Sequence, residues 1–249
     1  MTISLSERGV RGVLLDIEGT TTPLSFVHDV LFPYARTQLR AHLRKIEKTS
    51  DGQRIERLLR EEHAADVARG DAPPPLDEAP RPVARESLAV YVEWLMDRDR
   101  KSTGLKQLQG ESWRLGYGEG KLRGAVFPDV PSALERWRGA RLDVAIYSSG
   151  SVLAQKLLFS STPYGDLVRF IGHFFDTLVG QKRETGSYEA IARAMDLPRA
   201  SILFLSDVPE ELHAAHAAGM LAVLSVRPGN AVTEAAGFPS VRSFDEIQP

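Results

Sequence analysis

The sequence predicts an α/β fold, a doubly wound parallel sheet interrupted by an inserted α-helical cap. Three observations lead there. From Val126 onward the chain repeats strand, turn and helix, the alternation that builds parallel sheets with crossover helices. A short apolar run at residues 13–15 has the character of a strand buried on both faces, yet lies far upstream of the others. Between them the periodicity is helical. Residues 1–24 and 125–249 are accordingly assigned to the sheet-bearing core and residues 25–124 to the insertion.

In chain order, Val13, Leu14 and Leu15 form the first strand, which runs directly into Asp16, Glu18, Gly19 and three threonines. Residues 26–46 carry apolar side chains at roughly helical spacing with Arg and Lys between them, so a helix is expected, bent at Pro33. A second helix covers 53–68. The segment G-D-A-P-P-P-L-D-E-A-P-R-P then breaks all periodicity and reads as a surface loop. Helix resumes over 83–100, with Leu88, Tyr91, Val92 and Leu95 on one face; L-K-Q-L-Q-G-E-S-W-R-L-G-Y-G-E-G-K-L-R-G is less regular. Further strands are expected at 142–147, 202–205 and 221–226, with helices at 152–159 and from S-D-V-P-E-E to near Gly219. Pro23 and Gly124 flank the insertion, which is expected to move relative to the core and exclude water from the reaction.

Composition removes several function classes. An apolar content of 43% and a charged content of 26% over 249 residues describe a globule able to bury a sizeable core. A net charge of −2 offers no global attraction to nucleic acid or an anionic membrane, so neither is expected as a partner and anion recognition must be local. The absence of cysteine excludes disulfides, thiolate metal sites and cysteine nucleophiles. The opening M-T-I-S-L-S-E-R-G-V lacks the apolar core of a secretory signal, and no run approaches the ~20 apolar residues of a membrane span; a cytoplasmic monomer is expected.

Three strands end at polar residues: Asp16 and Glu18, then Ser148 and Ser149, then Asp207 with Glu210 and Glu211. In open parallel sheets the carboxyl ends of strands line the ligand crevice, so these groups should converge. Carboxylates with hydroxyls suit a hard cation, Mg²⁺, and an oxyanion, and Lys182 in V-G-Q-K-R-E is placed to balance a phosphate. Together they form a constellation for phosphoryl transfer from a small-molecule phosphate ester.

The order D-x-E-G-T, Y-S-S-G-S, G-x-K, L-S-D-V-x-x-E resembles the four motifs of the haloacid dehalogenase superfamily. Most of its phosphatases carry Asp-x-Asp in the first motif, where this chain has Glu18. That departure, together with L-D-I-E-G-T-T-T-P, L-F-P-Y, L-K-Q-L-Q-G, S-S-G-S-V-x-A-Q-K-L-L-F, G-H-F-F-D-T-x-V-G-x-K and V-R-P-G-N-A, resembles the enolase-phosphatase (acireductone synthase) family of methionine salvage, over residues 12–231.

The resemblance implies that Asp16 is the nucleophile and a metal ligand. It implies that Glu18 belongs to the metal site through its backbone carbonyl, with its carboxyl free for acid/base work, and that Asp207 binds the metal. Ser148, Ser149 and Lys182 would bind substrate, Lys182 as the phosphate partner. Ser148 and Ser149 also read as caps of the helix that follows. Glu211 reads either as orienting Asp207 or waters, or as a solvated glutamate at a helix start. Trp113 and Tyr117 read either as core of the insertion or as closing over the substrate. G-Y-G-E-G-K follows no strand and is not a nucleotide loop. His213 and His216 read as surface residues.

Overall fold

Gly12–Leu15, all four residues buried, is one of the two central strands of a six-stranded sheet. The computed structural model describes residues 2–231 and 237–249. Its strands are β1 (Ile3–Ser4), β2 (Gly12–Leu15), β3 (Asp143–Tyr147), β4 (His173–Phe175), β5 (Ile202–Ser206), β6 (Leu221–Ser225), β7 (Ser240–Val241) and β8 (Ile247–Gln248). The order β4-β3-β2-β5-β6-β7 is parallel throughout, and β1 and β8 form a separate parallel pair. Leu15 pairs with Ile146 on one side and Leu205 on the other. This register brings the residues that follow, Asp16, Tyr147–Ser148 and Ser206–Asp207, off the sheet at one level.

The helices are α1 (Leu24–Phe26), α2 (Phe32–Ile46), α3 (Ser50–Arg69), α4 (Arg81–Asp97), α5 (Thr103–Gly118), α6 (Val130–Gly139), α7 (Val152–Ser160), α8 (Thr185–Ala194) and α9 (Pro209–Ala217). The chain divides into two units, residues 1–28 with 122–249 and residues 29–121. In the first, buried Leu14, Ala145, Tyr147, Tyr188, Phe204 and Leu212 pack the sheet against its crossover helices. Gly124 is tight against the end of α7: a Cβ there would lie 2.0 Å from the Leu158 carbonyl oxygen. Close approach, not chain flexibility, is what this position requires.

The second unit packs α2 to α5 around Leu39, Leu59, Leu88, Tyr91, Val92 and Leu108. A π-helical turn, Val27–Leu31, precedes α2, and Pro33 falls in the first turn of α2, where a missing N–H costs little. The less regular segment is also a helix, α5. Its glycines weakened the periodic signal, but Gly104 is where α5 meets α3, with Leu59 side-chain carbons 2.8 Å from where a Cβ would stand. Asp66, buried in α3, accepts from the Tyr91 hydroxyl at 2.8 Å and from Arg100 at 2.6 Å.

Gly52, in the first turn of α3, donates its N–H to Thr49 Oγ1, and a Cβ would fall 1.9 Å from the carbonyl oxygen of Ile46. Backbone has to yield there. Gly52→Ala is therefore expected to destabilise the chain by about 2 kcal/mol, despite alanine's better helix propensity. Urea unfolding checks this, and an unchanged midpoint would refute the clash.

Candidate functional site at the strand tips

Asp16 is buried at the tip of β2, and its N–H donates to the Leu205 carbonyl at 3.0 Å, extending the strand by one residue. The chain then turns. The Ile17 carbonyl accepts from the N–H groups of Thr20, Thr21 and Thr22, and Gly19 N–H donates to the Thr22 carbonyl at 2.8 Å. Gly19 sits at φ +69, and a Cβ would lie 2.2 Å from Asp207 Oδ2. Only glycine lets this backbone approach the Asp207 carboxylate so closely.

The carbonyls of the turn are almost all claimed. Asp16 O accepts from Thr21 Oγ1 at 3.2 Å, Gly19 O from Asn230 Nδ2 at 2.9 Å, Thr20 O from Arg227 Nε at 3.1 Å, and Thr21 O from Phe127 N at 2.9 Å. Between Asp16 and Thr22, the Glu18 carbonyl alone has no donor among the described residues.

Lys182 reaches across from the loop after β4. Its Nζ lies 2.5 Å from Asp16 Oδ1 and 2.7 Å from Glu211 Oε2, so two of its three N–H groups are engaged. Burial works against the ammonium, but Asp16 and Glu211 outweigh it and raise its pKa, keeping it charged. Two contacts fix the loop. Tyr188 Oη donates to the Lys182 carbonyl at 2.6 Å, and Tyr147 Oη donates to that of Gly180 at 2.8 Å. Gly180 in G-x-K must be glycine because Ser187 Oγ would lie 2.2 Å from its Cβ.

Glu211, in the first turn of α9, is not a solvated glutamate: it is buried, pairs with Lys182 at 2.7 Å and accepts from Ser206 Oγ at 2.9 Å. Acidic charge is in excess here. Burial first, then Asp16 and Glu211, push the Asp207 carboxyl up to about 7. Burial and Asp16 also raise Glu211, and the same two causes raise Glu18, against the opposing field of Lys182 and His28. The Asp16 and Asp207 carboxylates and the Glu18 carbonyl are oxygen-only donors in a region of excess negative charge, which fits a hard divalent cation such as Mg²⁺. Among the described residues no group of three or more His, Asp or Glu side chains is placed to hold a metal ion. Mg²⁺ needs none, since two carboxylates and the unclaimed Glu18 carbonyl leave room for water and phosphate oxygens.

At the tip of β3, Ser148 is buried and Ser149 exposed. Ser148 Oγ accepts from Gly150 N–H at 3.1 Å. Neither caps α7: that role falls to Ser151, whose Oγ accepts from Ala154 N–H at 3.3 Å. Gln155, buried, holds the S-S-G turn to β4 by donating to the carbonyls of Gly150 and Phe175, each at 2.8 Å.

Trp113 belongs to the packing of its own unit, with Nε1 donating to the Leu31 carbonyl at 2.9 Å and its ring 6.2 Å from that of Phe32. Burial raises the Tyr117 phenol. His213 and His216 are exposed, both edge-on to Phe238. No helix among the described residues is long and apolar enough to cross a membrane.

Known proteins resemble this chain over most of its length. The sequence profile of the haloacid dehalogenase-like hydrolases matches residues 10–219. Enolase-phosphatase E1 of Synechococcus elongatus is 46% identical, covering 94% of this chain and 96% of that protein. A probable bifunctional methylthioribulose-1-phosphate dehydratase/enolase-phosphatase E1 of Vitis vinifera is 46% identical over 97% of this chain and 48% of its own length. The chain thus spans about half the length of such plant relatives. The crystal structure of the UTR4 protein of Saccharomyces cerevisiae superimposes with a TM-score of 0.76 at 34% identity, covering 95% of this chain and 99% of that one. The chain belongs to the haloacid dehalogenase-like hydrolases and, within them, to the enolase-phosphatase E1 family.

Proposed function

We propose that the chain is a Mg²⁺-dependent enolase-phosphatase of methionine salvage. It would convert 2,3-diketo-5-methylthiopentyl-1-phosphate to 1,2-dihydroxy-3-keto-5-methylthiopentene and phosphate. Supporting this above all is the buried Asp16 carboxylate, held by Lys182 beside Asp207 and the unclaimed Glu18 carbonyl. The substrate is inferred from the family, and the chemistry from the site.

Asp16 attacks phosphorus as the ester P–O bond breaks, the departing oxygen takes the proton held by the Glu18 carboxyl, and water then cleaves the aspartyl-phosphate to free phosphate. Lys182, already charged and engaged with Asp16, orients that carboxylate and neutralises phosphate charge as it arrives. Ser148, Ser149 and the N-terminus of α7 receive the phosphate and the substrate's oxygens. The Glu18 carboxyl, its pKa raised by burial and by Asp16, is suited to hold a proton and move it during enolisation. Asp16, Asp207 and the Glu18 carbonyl would hold Mg²⁺, which supplies Lewis acidity and offsets the repulsion between carboxylate and phosphate. Residues 29–121 serve as the helical cap. On this reading the enzyme works as a cytoplasmic monomer on a small-molecule phosphate ester, with neither nucleic acid nor membrane as a partner.

Incubation with the diketone phosphate and Mg²⁺, followed by NMR, is expected to show loss of the enolisable proton signal together with free phosphate. Phosphate release without enolisation would reduce the chain to a simple phosphatase. Dialysis against excess EDTA is expected to abolish turnover, and full activity afterwards would overturn the metal reading.

A further inference from the structure

The motif V-R-P-G-N-A touches nothing that reacts, yet Arg227 within it is buried deeply and at evident cost. Its guanidinium stacks between two rings, 4.8 Å from the centroid of Phe127 and 4.4 Å from that of Phe244. Nη1 donates to Asp129 Oδ2 at 2.8 Å and to the Arg242 carbonyl at 3.0 Å, while Nε donates to the Thr20 carbonyl at 3.1 Å. Asp129 is itself fixed, since its Oδ2 also accepts from the Phe244 N–H at 2.6 Å. A planar, permanently charged fork is thus locked by an ion pair and two aromatic faces, with one arm aimed at the turn after β2. Three residues on, Asn230 Nδ2 donates to the neighbouring Gly19 carbonyl and to the Ser225 carbonyl at 3.0 Å.

A buried arginine paired with one aspartate is weak evidence for stability, because desolvation consumes most of the attraction. What this one does secure is direction. With the carbonyls of Gly19 and Thr20 pulled toward the V-R-P-G-N segment, the peptide of Glu18 is left with its carbonyl unclaimed. Resting on the proposed reading of that carbonyl as a cation ligand, we infer that Arg227 is a positioning residue of the cation site. It holds the Glu18–Thr20 turn in the orientation that binds Mg²⁺ and touches neither metal nor substrate. The carbonyls of a turn free to rotate would point elsewhere for much of the time, and affinity would fall with the population of the competent orientation.

Arg227→Lys keeps the charge opposite Asp129, but a single ammonium cannot reproduce the fork. Calorimetric titration of the metal-free chains with Mg²⁺ is expected to show a dissociation constant raised about tenfold in the variant, the size of effect seen when groups supporting metal ligands are removed. At saturating Mg²⁺ most of the lost kcat should return while KM stays near the parent value. A purely structural role predicts the opposite: a lower melting temperature with unchanged Mg²⁺ affinity, and that result overturns the inference. Should Arg227→Lys fail to fold, the double variant Arg227→Gln, Asp129→Asn removes both charges together, and the same titration decides. Absence of Mg²⁺ binding by the parent chain would instead overturn the metal reading and this inference with it.

Discussion

Asp16→Asn is expected to lower phosphate release by about four orders of magnitude or more while leaving the chain at least as stable as the parent without metal. An amide oxygen is a poor nucleophile, and removal of a catalytic nucleophile has effects of this size. The stability side follows from the charge excess at the strand tips. Asp16 is among the groups that raise Asp207, Glu18 and Glu211, so its neutralisation relieves all three, while Lys182 keeps Glu211 at 2.7 Å. Enolisation needs a base and a polarising cation but no phosphoenzyme, so wherever Mg²⁺ remains bound the variant should accumulate the enol phosphate. Ultraviolet absorbance without phosphate release would report it, with metal occupancy measured alongside. If the Mg²⁺-loaded variant neither enolises the substrate nor exchanges its acidic proton with deuterium, Asp16 takes part in proton removal and the assignment of that step to Glu18 fails.

Lys182→Met should have the largest effect on stability. It leaves Asp16 and Glu211 buried with no ammonium between them, and breaking a buried pair by removing one partner costs about 3–5 kcal/mol. The loss should depend on pH in a defined direction. The Glu211 pKa already lies above its ordinary value through burial and Asp16, and Lys182 is a group that lowers it, so its removal raises it further. A carboxyl whose folded pKa is raised destabilises the fold only as pH climbs from the unfolded toward the folded value. Urea unfolding should therefore show a large deficit at pH 8 that shrinks at pH 5.5. An equal deficit at both would mean that lost packing of the lysine stem, not stranded charge, sets the cost. Phosphate release should fall at least about a hundredfold, because the group that orients Asp16 is gone.

The fold class was legible because β2, β3, β5 and β6 each carry a short, almost entirely apolar run separated by turn and helix signals, the pattern of a covered parallel sheet. Residues at their tips were legible for the same reason, since topology places strand ends together. What escaped was set by tertiary context. β4 has three residues, none fully buried, and takes its strand form from pairing with β3. α5 hid behind its glycines, of which Gly104 is where α3 approaches. Glu211 remained ambiguous because its partner Lys182 comes from a different loop, and the short motif G-x-K says nothing of burial. Arg227 and Asn230 act on backbone carbonyls of a distant turn, a relation that leaves no periodicity.

The position of β2 also bears on how the molecule assembles. Its neighbours β3 and β5 both lie beyond the inserted helices, so this central strand is the one in the sheet that waits longest for partners during synthesis. The helical unit, whose packing is drawn from residues within 29–121, can close on contacts nearer in sequence while Val13, Leu14 and Leu15 remain unpaired. Those three side chains, with no charge among them, would meanwhile present an adhesive edge to other nascent chains. Yield at high expression temperature should thus be limited by the lifetime of this orphaned strand, and not by the equilibrium stability of the finished sheet.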